Sequence, residues 1–137
     1  MKLFSVPLCW LFALMATCKA EPPKSPEEAI KAFRSEWEAV LSPKLRASTF
    51  HEHLKHQVYE AGRVGAVAES SEKVHTNITN SLSPKEMSLI LYGKLADLKP
   101  DRKVWSVVNP GHSGSGFEAL LDQKDGRLIF LWIMPEG

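Results

Sequence analysis

The chain has 137 residues, with 17 Lys and Arg against 16 Asp and Glu, two Cys, and 44% hydrophobic residues. That length suits one domain. Lys2 and Lys19 are the only charged residues before Glu21, so the remainder carries 15 basic and 16 acidic side chains. This balance points away from nucleic acid and from anionic membrane surfaces as partners.

Met1-Lys2 gives a short positive start, and Leu3 to Ala16 is apolar apart from Ser5 and Pro7. Such a run is shorter than the roughly 20 residues of a membrane span and matches the core of a signal peptide, expected over 1–20. Two ends fit. Cys18-Lys19-Ala20 puts small residues at both cleavage positions and would release a chain starting at Glu21. Met15-Ala16-Thr17-Cys18 resembles a bacterial lipobox, which would make Cys18 a lipidated terminus and supply a lipid anchor without a membrane span. Both cysteines, Cys9 and Cys18, lie in this segment, so the domain beyond it is expected to fold without disulfides or thiol chemistry. The chain is therefore expected to be exported, to a bacterial periplasm or envelope or outside the cell.

Residues 21–24 read as a linker stiffened by Pro22 and Pro23, and 25–137 as a single domain. Ser25-Pro26-Glu27-Glu28 is a helix start: a capping hydroxyl, a proline where no N–H is needed, and a glutamate to complete a capping box. Ile30, Phe33, Trp37, Val40 and Leu41 then share one face, and Ser42-Pro43 closes the helix. A second helix is expected from Thr49, with Phe50, Leu54, Val58, Ala61 and Ala68 continuing the 3.6-residue stripe past Gly62 and Gly65. Residues 70–82 read as a polar loop with a short strand near Val74–Ile78. Ser83-Pro84-Lys85-Glu86 repeats the first start signal, so a third helix is expected through Met87, Ile90, Leu91, Leu95 and Leu98, stopping before Pro100.

The period then changes to two. Strands are expected at Val104–Val108, Phe117–Leu121 and Leu128–Met134, with Asp122 to Gly126 as a hairpin turn whose glycine takes a positive φ. Helices first and strands last predict an α+β fold, about three N-terminal helices packed on a C-terminal antiparallel sheet.

The motifs that suggest chemistry are incomplete. In His51-Glu52-His53-Leu54-Lys55-His56, the residue four places after His51 is Lys55, where a zinc-protease helix needs histidine. A solvated helix face is the better reading. Gly111-His112-Ser113-Gly114-Ser115-Gly116 has serine where a nucleophile elbow needs its last glycine. It is also followed by Phe117-Glu118, where a phosphate loop needs Lys-Ser/Thr. Asn77-Ile78-Thr79 is a glycosylation sequon only in a eukaryotic host. Trp37, Trp105 and Trp132 are spaced as core residues rather than as a ligand box. No catalytic, cofactor-binding or metal-binding residue is therefore assigned, and no cofactor is expected.

The C-terminal third combines Tyr92-Gly93, Val104-Trp105-Ser106-Val107-Val108, Gly114-Ser115-Gly116-Phe117-Glu118-Ala119 and Asp122 with Asp125-Gly126-Arg127-Leu128. This stretch resembles the ending of immunity proteins with a nuclear-transport-factor-two-like fold, and the hairpin of PepSY domains. The resemblance implies a cystatin-like module of an exported bacterial protein, whose role is binding or inhibition without catalysis. The expected function is thus a non-enzymatic protein-binding domain, an inhibitor or immunity protein, with carriage of a small apolar ligand as the alternative and a small hydrolase behind both. The last strand is apolar on both faces, so Ile129, Leu131 and Ile133 are the expected interface with a protein partner or a second copy.

Overall fold

A computed structural model describes residues 21–81, 89–111 and 116–134. Helix α1 spans Pro26–Glu36, α2 Pro43–Arg46, α3 Thr49–Val58 and α4 Ser71–Ser81. The strands are β1 Gly65–Ser70, β2 Ile90–Tyr92, β3 Lys103–Asn109, β4 Phe117–Asp122 and β5 Leu128–Ile133. They form one antiparallel sheet in the order β1-β3-β4-β5-β2. The fold is α+β, with helices preceding and covering an antiparallel sheet.

Local chemistry explains the element ends. Ser25 Oγ accepts the Glu28 N–H at 3.2 Å, and Glu28 reaches back to the backbone N–H of Lys24 at 2.8 Å, one residue beyond the usual capping-box donor. Ser42 opens the short α2 by accepting from the Leu45 N–H. The turn at 122–126 forms as expected: Asp122 Oδ1 accepts from Lys124 N, and Gly126 has φ +75°. Pro23 of the linker is buried, and its Cδ lies 2.8 Å from where a Cβ on Gly126 would sit.

Three expectations are corrected. The second helix does not continue to Ala68; it stops at Val58, Gly62 turns at φ +85°, and 65–70 becomes β1. Pairing six residues with β3 outweighs a helical stripe already weakened by two glycines. Residues 71–81 are a helix instead of a polar loop. Ser70 Oγ accepts the Glu72 N–H, and Ser71, Val74 and Ile78 make a narrow buried stripe at helical spacing. The third helix does not extend to Leu98, because Ile90–Tyr92 is a strand on β5 and Leu95–Asp97 a single 3₁₀ turn. Its start signal, Ser83 to Glu86, lies outside the described residues.

The sheet separates two hydrophobic clusters. On one face Phe33, Trp37, Leu54 and Val58 of α1 and α3 and the turn after α1 pack on Val107, Phe117, Ala119, Leu121, Leu128, Leu131 and Ile133. The Phe33 and Phe117 rings stack with centroids 5.3 Å apart. On the other face Val74 and Ile78 of α4, with Leu98, cover Val104, Leu120, Phe130 and Trp132.

Candidate functional site

The expected interface residues Ile129, Leu131 and Ile133 do not share one exposed face. Leu131 is fully buried and Ile133 is 5% exposed, both under α1 and α3. The premise that one side of β5 would need an external partner is corrected, because the chain's own helices cover both sides. Strict alternation also fails. Leu120 pairs with Phe130 and Leu121 with Leu128, so Ile129 is the extra residue of a bulge. A bulge re-aims side chains: Leu128 joins the cluster of Leu131, while the half-buried Ile129 packs with that of Phe130. Cys18, the lipidation candidate, lies outside the described residues.

Ile129 instead lines a cleft of about 470 Å³ between the end of α1 and the sheet, shared with Val40, Tyr92, Leu128, Arg102 and Arg127. Gly93, at φ +90°, permits this arrangement. A Cβ there would come within 2.4 Å of the Ile129 carbonyl oxygen. Both Arg102 Nε and Nη2 donate to Asp122 Oδ2, and Nη1 donates to the Asp97 carbonyl. That guanidinium lines the cleft with one N–H of each of its three nitrogens already donated.

A buried acid sits on the α4 side of the sheet. Glu118 is 8% exposed. Ser106 Oγ donates to its Oε2 at 2.5 Å and Trp132 Nε1 to its Oε1 at 2.9 Å. Burial pushes its carboxyl above the ordinary 4.5, the two hydrogen bonds pull it down in part, and the charge of Glu69 raises it. Sequence reasoning missed Glu118. The signal was a lone acid inside an otherwise apolar strand, flanked by Phe117 and Ala119.

The histidine-rich helix holds no shared metal geometry. His51 turns inward, stacked on Trp37 at 5.6 Å, with Nε2 2.9 Å from Glu38 Oε2. Among the described residues no three His, Cys, Asp or Glu side chains gather to hold an ion. Trp37 and Trp105 belong to one cluster and Trp132 to the other, so the tryptophans do not converge on a box. His112 and Ser113 lie outside the described residues.

The two sheet edges differ most. β2 is three residues long, with a register shift against β5. β1 has six residues paired in unbroken register with β3, and among the described residues no strand lies on its outer side. Gly65, Val67, Ala68 and Ser70 are exposed, Val67 at 54%. The strand's one charge, Glu69, is held by Lys73 of α4 at 3.8 Å.

No family model, curated protein or solved structure matches the chain.

Proposed function

We propose that the chain is an exported, non-enzymatic protein-binding domain that takes a partner's extended strand along β1. The cystatin-like or PepSY-like resemblance of its C-terminal third belongs to the same reading, as does an inhibitor or immunity role. One observation carries it: β1 is a long, regular edge without lysine, proline or bulge, next to an exposed valine. Proteins that keep such an edge unpaired blunt it, as this one blunts β2. A strand added there gains main-chain hydrogen bonds along its length, with Val67 as the side-chain contact. Export by residues 1–20 would place this edge in the envelope or outside the cell. Among the described residues, no helix is long and apolar enough to cross a membrane.

Amide hydrogen exchange in host envelope extract tests the proposal. The outward amides of 65–70 are expected to exchange slowly at native concentration, and faster in a Val67→Lys chain. Exchange at the rate of an open edge in both chains would overturn it.

Carriage of a small apolar ligand is the weaker reading, because Glu36, Arg102, Asp122, Asp125 and Arg127 share the lining of the cleft between α1 and the sheet with Val40, Leu128 and Ile129.

A further inference from the structure

We infer that the strand added to β1 is β1 of a second copy, paired antiparallel about a two-fold axis that passes at Val67. This inference rests on the strand-addition reading above and names its partner. The asymmetry of the edges supports it. With β2 short and irregular, each chain offers one usable edge. An interface between identical chains through a single edge is isologous and closes at two copies, giving a continuous ten-stranded sheet from two five-stranded ones.

The sequence of β1 selects the register. A two-fold axis normal to the sheet keeps each face on its own side, so a residue can only oppose one of its own parity. Val67 and Glu69 lie with Ser106 and Val104, and Ala66 and Ala68 with Val107 and Trp105. Centring on Val67 sets the two exposed valines against each other and Ala66 against Ala68. Glu69 then opposes Gly65, where a side chain would meet nothing within 4 Å. Centring on Ala68 would set Val67 against Glu69, and centring on Glu69 would oppose two like charges, which destabilises a pair. Of these three arrangements, only the first joins apolar to apolar and gives each carboxylate an empty neighbour.

Cysteine crosslinking tests both the partner and the register. In a full-length Cys9→Ser/Cys18→Ser chain, Val67→Cys places two thiols directly opposite. Opposed Cα atoms are about 4.5–5.5 Å apart, within disulfide range. Ala68→Cys places its thiols two residues out of step, at about 7 Å along the strands and beyond bridging. Mild oxidation is expected to convert the Val67→Cys chain to a covalent dimer and to leave Ala68→Cys without a crosslink. Without cysteines, the parent chain should double in mass by light scattering as concentration rises, and Val67→Lys should abolish that doubling with helix content unchanged. A parent that stays monomeric at every concentration, or crosslinking at 68 in preference to 67, would overturn the inference. Slow exchange of 65–70 in envelope extract alongside a monomeric purified chain would overturn self-pairing while leaving strand addition standing.

Discussion

Helices of the same chain cover both faces of the sheet, but the two faces are built differently. Under α1 and α3 the contact is mainly hydrocarbon and aromatic, from Phe33 and Trp37 to Phe117, Leu121 and Leu131, and a buried amide on the sheet, Asn109, donates to the Gln57 carbonyl of α3. Under α4 the apolar patch is smaller, and beside it Glu118 is held by Ser106 and Trp132. A carboxylate with two donors is tolerated where cover is thinner, whereas a charge without donors in the first layer would be unsatisfied. The comparison teaches that apolar residues on both sides of a strand need not mean an external partner. Here it means two helical layers.

Leu131→Lys would break the comparison most severely. A lysine at this fully buried site would sit among the apolar side chains of the cluster, and an unpaired buried charge should cost at least about 4 kcal/mol, enough to unfold many small domains. Circular dichroism should show lost helix and no cooperative melt. Val67→Lys, compared with the parent at concentrations where both are monomeric, should stay within about 0.5 kcal/mol of it. A folded Leu131→Lys chain with normal helix content would mean that the α1 side is not closed.

The helix start at Ser25, the three C-terminal strands and the turn ending at Gly126 were legible because each rests on local chemistry: caps, period-two alternation and a positive φ. The α+β class followed from their order. β1 and α4 were not legible, because Ala66 to Ala68 has no β-branched run and derives its strand state from pairing with β3. In α4, Val74 and Ile78 carry a stripe only two residues wide within a polar segment, weaker than the loop signal of Ser, Thr and Asn. The bulge at Ile129 was invisible for a different reason. Nothing in Leu-Ile-Phe-Leu-Trp-Ile marks where alternation breaks, and Gly93, which approaches that carbonyl, is more than thirty residues away in sequence. That one shift decides which of the three expected interface residues reaches a surface cleft.

Glu118 gives the comparison a pH axis of intermediate size. Its carboxyl is raised above 4.5 chiefly by burial, so between 4.5 and its folded value the native chain binds more protons than the unfolded chain. Stability should therefore fall as pH rises through that window and level off above it. Urea midpoints measured across the window should slope downward for the parent, and Glu118→Gln should flatten the slope, its Oε1 still accepting from Trp132 and its Nε2 donating to the Ser106 hydroxyl. An unchanged slope would assign the pH dependence to other groups and leave the acid on the α4 side without energetic consequence.

The smallest effects compare how each helical layer is anchored. Ser70 caps α4 by accepting the Glu72 N–H at 3.1 Å, and its hydroxyl also reaches the Pro100 carbonyl at 3.3 Å. Ser25 caps α1, but that start has further support: Glu28 holds the Lys24 N–H, and Pro26 presets the first turn. Ser70→Ala should thus cost about 1 kcal/mol and Ser25→Ala about half of that. Thermal melts of the two variants against the parent would read the difference as two unequal downward shifts. If Ser25→Ala were the costlier, α1 would depend on its cap more than on the buried Phe33 and Trp37. The layer with the larger core would then be the one more sensitive at its helix start, the reverse of what packing implies.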